Sequence, residues 1–316
     1  MTIKPLSVVI LASVVTLLAM HTGCVKTNPG TTTTHDTTII TKTDTLNTTT
    51  TDTVVPVPPD ITTGLVVYLK FNGNFADSSG LNNTVTAVGG ASLGYDMHGY
   101  DTSAFTPNGS GQALLVSNNG SYAVDTAFSV SFDFMIKNYA YIIGGGNYNG
   151  FETFASLVNY ANGEGATFNV GFNQQNSPQY FNFGINSELS SCESTSNTDP
   201  RDQSDTAYNF TPLLGTWYNA IAIFSHGITS TYINGQLAAQ RTGGPDSVLF
   251  CPSASLVIGS WWGGTENVNG GIDEFRFYNR TLTAPEIAYL ARNFQLNSNK
   301  QNPNLRSGKA SSISGK

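Results

Sequence analysis

Across 316 residues this chain carries only 11% charged residues, 14 basic against 21 acidic, for a net charge of −7. With so few Lys and Arg there is no basic stripe to neutralise phosphates, which excludes nucleic acid as a partner. Asn, Thr, Ser and Gly are abundant instead, giving a wet, weakly charged surface suited to neutral polar partners such as sugars.

Lys4 places a positive charge near the N-terminus, and an apolar run follows from Leu6 to Met20. The run is too short and too early for a membrane span, so residues 1–23 read as an export signal. Leu18-Ala19-Met20-His21-Thr22-Gly23-Cys24 resembles a bacterial lipoprotein processing site, with cleavage after Gly23 and lipidation of Cys24. His21 stands where an aliphatic residue is usual, and plain secretion is the alternative. A lipidated Cys24 implies an exported protein anchored at the cell envelope, with the outer membrane the expected location, and with no contact to the bilayer beyond the anchor.

Residues 24–63 read as a flexible tether. Thr31 to Thr53 is mostly threonine, and Val55-Pro56-Val57-Pro58-Pro59 stiffens the end toward a polyproline-like conformation. Such a segment cannot bury enough apolar surface to offset its ordering entropy. Asp36-Thr37-Thr38, Asp44-Thr45-Leu46 and Asp52-Thr53-Val54 resemble an O-glycosylation pattern of exported proteins, which implies modification at Thr37, Thr45 and Thr53; a bland spacer is the alternative.

From Gly64 to Asn293 the signal changes to strands. Leu65, Val67, Leu69 and Phe71 alternate with Val66, Tyr68 and Lys70, and Phe128, Val130, Phe132, Phe134 and Ile136 alternate with Ser129, Ser131, Asp133 and Lys137. Phe168-Val170-Phe172, Phe181-Phe183-Ile185, Trp217–Phe224 and Thr229–Ile233 repeat the pattern. Asn234-Gly235 between two such runs predicts a two-residue hairpin turn, because both residue types tolerate positive φ. The repeated period of two predicts an all-β, two-sheet antiparallel sandwich filling 64–293. Thr283-Ala284-Pro285-Glu286 is a capping box with proline in the first turn, and it predicts one short C-terminal helix. Residues 294–316, rich in Asn, Ser and Lys, read as a disordered tail.

Several stretches, in order, resemble LamG-like jelly-roll domains of the concanavalin A-like lectin/glucanase superfamily. They are Gly64–Asn74 with Asp77-Ser78-Ser79-Gly80, Phe128–Phe132, Trp217-Tyr218 with Tyr232–Gly235, Leu256–Gly259, and the closing Gly271-Ile272-Asp273-Glu274. The resemblance implies a jelly roll used for binding carbohydrate or protein, often with one calcium ion.

The candidate chemistry lies in these pieces. Calcium takes carboxylate and amide oxygens, and Asp77, Asp273 and Asn72 lie near the first and last strands, which a jelly roll brings together. For Asp77 a turn role competes, since Asp-Ser-Ser-Gly is a type I turn sequence. Glu274 and Arg276, two apart on a strand, share a face and can pair, leaving Phe275 and Phe277 to the core.

Trp261-Trp262, with Asn267 just beyond, offers an aromatic platform for a sugar ring, because adjacent aromatics on a strand cannot both enter the core. Asn147 and Tyr148, with Tyr139 and Tyr141 around Gly144-Gly145-Gly146, give a second aromatic and amide-rich loop; ordinary loop packing is the alternative for each residue. Cys192 and Cys251 form an even pair in an exported chain and read as a disulfide, with two free thiols the alternative. The glycosidase spacing of carboxylates is missing around Asp273, and no histidine cluster is evident, so the chain reads as a non-enzyme.

The resulting expectation is a cell-envelope lipoprotein that binds polysaccharide or glycoconjugate. A structural or adhesive module contacting a surface protein is the alternative, and a glycoside hydrolase the remotest reading.

Overall fold

The computed structural model describes residues 57–118, 120, 122, 126–139, 150–173, 179–186, 191–192 and 206–298. Cys24, Thr37, Thr45, Thr53, Tyr141, Asn147 and Tyr148 lie outside the described residues. The strands are β1 (Leu65–Leu69), β2 (Val85–Val88), β3 (Leu93–Gly94), β4 (Ala104–Phe105), β5 (Ala113–Val116), β6 (Ala127–Ile136), β7 (Phe151–Val158) and β8 (Phe168–Asn173). They continue with β9 (Tyr180–Ile185), β10 (Thr206–Asn209), β11 (Trp217–Ser225), β12 (Ile228–Ile233), β13 (Gln236–Arg241), β14 (Ser255–Ile258) and β15 (Gly270–Tyr278), and helix α1 (Ala284–Ser298) follows.

Two antiparallel sheets result. The first runs β13-β12-β11-β6-β15-β4-β3, with β1 also paired to β15; the second runs β10-β9-β8-β7-β14-β5-β2. This is the jelly-roll sandwich expected. The two inner faces meet in a core dominated by phenylalanine: Phe128, Phe132 and Phe134 from β6, Phe168 and Phe172 from β8, Phe181 and Phe183 from β9, and Phe275 and Phe277 from β15 are all fully buried. Each such ring removed from water is worth about 1.5–3 kcal/mol. They interlock across the gap; Phe168 stacks on Phe277 with centroids 6.0 Å apart, and Phe128 meets Phe183 edge-on at 6.0 Å.

The local signals explain the connections. Asn234 and Gly235 take φ of 50° and 77°, the conformation the β12–β13 hairpin requires. Glu286 accepts hydrogen bonds from Thr283 N at 2.7 Å and Thr283 Oγ1 at 2.8 Å, closing the first turn of α1, and its carboxylate also pairs with Arg280 at 2.7 Å. Ile287 and Leu290 then bury against Ile221, Ile223, Tyr278 and Leu282 on the outer face of the first sheet. The helix reaches Ser298, beyond the boundary at Asn293 drawn from composition, because Phe294 is still buried and prolongs the apolar stripe.

A bulge in the first sheet decides which side chains of β15 face outward. The pairing of β15 with β6 shifts between Asp273 and Arg276, and Glu274 takes a φ of 51°. Strict alternation outward from Phe275 would place Asp273 in the core. The bulge keeps Ile272 and Phe275 both inward and turns Asp273 and Arg276 both outward, as their partners Phe134, Asp133 and Ser131 on β6 require.

Candidate functional site

The outer face of the second sheet is polar where a solvent-facing sheet would be expected to be wet, yet it is buried. Along β7, β8 and β9 the outward positions are Thr153 and Ser156, Asn169 and Gly171, and Asn182 and Gly184, in register as Thr153–Gly171–Asn182 and Ser156–Asn169–Gly184. Ser156, Asn169 and Asn182 are fully buried. Asn169 Nδ2 donates to Thr153 Oγ1 at 3.0 Å, and that hydroxyl donates to Glu266 Oε2 at 2.9 Å.

Four atoms of this face have no hydrogen-bond partner: Ser156 Oγ, Asn169 Oδ1, and both Oδ1 and Nδ2 of Asn182. A β-carbon added to Gly171 would lie 3.1 Å from Asn169 Oδ1 and 3.4 Å from Asn182 Oδ1. The two amide oxygens therefore crowd over a glycine, where Glu152 O lies closer still at 2.9 Å, and no described residue donates to either of them. Orphaned buried polar atoms are rare and call for an occupant. A hydroxyl, which both donates and accepts, matches the mixture of free acceptors and donors.

The tryptophan loop borders this face. Ser260 to Asn269 leaves β14 and folds over β7, where Thr153 N donates to Glu266 O at 2.9 Å. Gly263 and Gly264, with φ of 65° and 76°, let the loop turn tightly, and Gly263 N donates to Tyr160 O at 2.8 Å. Trp261 is buried among Ala113, Val158, Ala166 and Val257 on the sheet's outer side. Trp262 is half-buried, and a β-carbon on Gly163 would meet its indole at 3.0 Å.

The two rings thus divide as adjacent aromatics should, Trp261 into packing and Trp262 toward the surface. Asn267 Nδ2 donates to Gly264 O at 2.7 Å, while its Oδ1 is buried without a partner. Tyr139 is spent on packing: its hydroxyl donates to Pro212 O at 3.0 Å and its ring lies against Phe172.

The expected calcium set fares differently. Asp77 accepts hydrogen bonds from Tyr68 N (3.0 Å), Ser79 N (2.9 Å), Ser79 Oγ (2.7 Å), Asn83 N (3.0 Å) and Asn83 Nδ2 (2.8 Å). Burial alone would raise its pKa, but the amides of Tyr68 and Ser79 and their companions win and hold it below the ordinary value. Its shell is made of N–H and O–H donors, whereas calcium wants oxygen acceptors. Asp77 is a turn pin.

Asn72 is exposed. Asp273 turns toward different partners: it lies opposite Asp133 on β6, and its Oδ1 accepts Glu274 N at 2.8 Å. Asp77, Asn72 and Asp273 therefore do not form the set expected. Among the described residues no group of three or more His, Cys, Asp or Glu side chains could hold a metal.

Around Asp273 the electrostatics are those of crowded acids. Burial first, then Glu274 and Asp133, push its carboxyl up to about 9; burial likewise pushes Asp133 up to about 7, against the hydrogen bond from Asn219. Glu274 pairs with Arg276 as the spacing suggested, and Tyr68 joins them, its hydroxyl donating to Glu274 Oε2 at 2.6 Å and its ring 4.1 Å from the guanidinium. Asn169, Asn182, Ser156, Asp133 and Asn219 carry no motif; each is a polar residue at an outward strand position, ordinarily a sign of solvent.

Cys192 and Cys251 are joined in a disulfide, Cα atoms 5.3 Å apart, which settles the choice against free thiols. Such a bond points to an extracytoplasmic protein. Among the described residues no helix is long and apolar enough to cross a membrane.

The architecture agrees with known proteins. Domain 4 of AbnA, a GH43 extracellular arabinanase from Geobacillus stearothermophilus, solved in complex with arabinotriose, superposes with a TM-score of 0.50 at 18% identity, covering 72% of this chain and 98% of that one. The binding domains of botulinum neurotoxin serotypes C1 and D superpose with TM-scores of 0.51 and 0.52 at 16% and 14% identity. Those two superpositions cover 75% and 74% of this chain, which spans about half, 53%, of each toxin chain. At these identities the likeness concerns the fold. No curated protein sequence matches the chain. A family model described as the concanavalin A-like lectin/glucanases superfamily matches residues 108–288, from the loop before β5 into α1. On that match and this sandwich, the chain belongs to the concanavalin A-like lectin/glucanases superfamily, in its Laminin_G_3 family.

Proposed function

We propose that this protein is an exported, lipid-anchored component of the cell envelope that binds polysaccharide or glycoconjugate and does no chemistry on it. In this reading residues 1–23 are removed, Cys24 carries the lipid, and 24–63, glycosylated at Thr37, Thr45 and Thr53, hold the sandwich away from the membrane. The processing-site sequence and the disulfide support export.

The observation that carries the binding reading is the half-buried ring of Trp262, on a loop that also holds Asn267. The amide oxygen of Asn267 has no hydrogen-bond partner among the described residues. An apolar ring beside free amides is the combination that suits a neutral sugar, with its apolar ring face and fan of hydroxyls. Asn169 and Asn182 are closed to solvent, so the ring of Trp262 is what a sugar can reach. Domain 4 of AbnA, with arabinotriose bound, is a case of the same fold holding a neutral oligosaccharide.

Binding without catalysis is favoured because the facing carboxylates of Asp133 and Asp273 are buried at 5% and 6% exposure, where no glycosidic bond can reach between them.

A glycan array followed by calorimetry tests this. Trp262→Ala and Asn267→Ala should each weaken glycan binding at least tenfold with the melting temperature little changed. Binding to no glycan at millimolar concentration, together with capture of a surface protein that survives both substitutions, would replace this reading by the adhesive one.

A further inference from the structure

Between β1 and β2 the chain makes a long turn, and its side chains line a cleft of about 470 Å3. That is within the range of roughly 300–1,000 Å3 seen for small-ligand sites. Phe75, Ala76 and Val85 form an apolar side, and Asn82, Asn83 and Thr84 bring amides and a hydroxyl, with Asp77 completing the lining.

The turn is held in one shape. Asp77 gathers donors from Tyr68, Ser79 and Asn83, Asn74 Oδ1 accepts Ala76 N at 2.8 Å, and Gly73 N donates to Thr102 O at 2.8 Å. Phe75, half-buried, is fixed edge-on by Phe71 at 6.2 Å and by Phe105 at 5.9 Å. Phe71 and Asn82 both take left-handed backbone, with φ of 57° and 55°. Asparagine tolerates that region, but a buried phenylalanine is strained there, and such strain gathers at ligand clamps.

The independent sign of a ligand is Asn83, only 6% exposed. Its Nδ2 donates to Val66 O at 2.7 Å and to Asp77 Oδ2 at 2.8 Å, which fixes the amide and leaves its Oδ1 with no hydrogen-bond partner. The lining is therefore short of a donor. The side chains of Asn82 and Thr84 are exposed and make no hydrogen bond to a described residue, so they are free to add others. The carboxylate in the lining, Asp77, is already answered by its donors, which leaves no charge for an ionic ligand to match. An uncharged molecule with an apolar face for Phe75 and hydroxyls for the amides fits this lining.

We propose that the cleft binds one neutral sugar ring, as a glycan subsite separate from the Trp262 loop. The class of ligand rests on the glycan reading above, while the residues that would hold it are a different set.

The full-length protein, with its methyl groups labelled, is titrated with glucose, galactose, mannose, xylose and arabinose to high millimolar concentration and followed by NMR. At least one sugar should shift the methyl resonances of Ala76, Thr84 and Val85 to saturation. Thr84→Val removes the hydroxyl at an exposed position and should weaken this binding severalfold. Asn82→Gly should weaken it at least tenfold while raising the melting temperature, because glycine takes positive φ without strain. A merely structural Asn82 would change the melting temperature and leave the affinity alone. Ala76→Trp fills the cleft and should abolish the shifts at Thr84 and Val85, whereas Trp262→Ala should leave them as in the wild type. Sugars that bind at the Trp262 loop but leave the cleft methyls unmoved would overturn this subsite and spare the glycan reading. Binding of no sugar here and of no oligosaccharide on the array would overturn both, and wild-type affinity in Thr84→Val and Asn82→Gly together would overturn the subsite alone.

Discussion

The carboxylate of Asp77 is held by five donors, whereas Asp133 and Asp273, facing one another on the first sheet, have two between them. Asp77 sits where the chain turns back on β1, so backbone amides that have no strand partner point at it, and its negative charge satisfies them. Asp133 and Asp273 sit within paired strands, where most amides are committed to the ladder; apart from the amide of Glu274 at the bulge, only side chains remain to answer a charge. A carboxylate at a turn consolidates the backbone; a pair of carboxylates mid-sheet holds its protons to a higher pH instead.

The largest expected effect breaks the first half of that contrast. Asp77→Ala strips the partner from five donors and should cost about 3 kcal/mol, since each buried polar group left unsatisfied costs about 1–3 kcal/mol and several here can turn to water. For a domain of this size that lowers the melting temperature by about 6–12 °C. Asp77→Asn keeps the shape but loses the charge, and should cost about 1–2 kcal/mol at neutral pH. Its pH dependence is the sharper readout. The folded-state pKa of Asp77 lies below the ordinary 3.8, so its contribution is fully present above that value and is lost as pH falls through the folded pKa. Urea titrations from pH 7 down to pH 2 should therefore show wild type and Asp77→Asn converging at the acid end; parallel curves would mean that the charge of Asp77 does not matter.

The same contrast marks how far the sequence could be read. Strands such as Phe128–Ile136 and Trp217–Phe224, the Asn234-Gly235 turn, the capping box at Thr283 and the cysteine pair are all local patterns, and each forms as expected. Trp262 likewise reaches the surface while Trp261 packs. What could not be read depends on register. The bulge at Glu274 decides that Asp273 faces Asp133 rather than the core, and nothing in Asp273-Glu274-Phe275 announces a φ of 51° at a glutamate. The Asn169–Asn182 convergence needs β8 and β9 aligned so that both flank Gly171. Residues 24–56 of the tether and the Asn147–Tyr148 loop lie outside the described residues, and their roles rest on composition alone, whereas Ile61 and Thr63 at the tether's end accept hydrogen bonds from Tyr278 and Arg280.

The second half of the contrast predicts a gain. At pH 10, above the values of about 9 and 7 to which burial lifts Asp273 and Asp133, Asp273→Asn removes one of two opposed buried charges and should raise stability by about 1 kcal/mol, the scale of a cross-strand pair. Asp133→Asn should do nearly the same. The double variant is the decisive member of the cycle. If repulsion between these two groups is what each substitution relieves, the second substitution finds it already gone, and the double variant should gain about 1 kcal/mol less than the sum of the singles. Strict additivity would show instead that each aspartate suffers only its own burial.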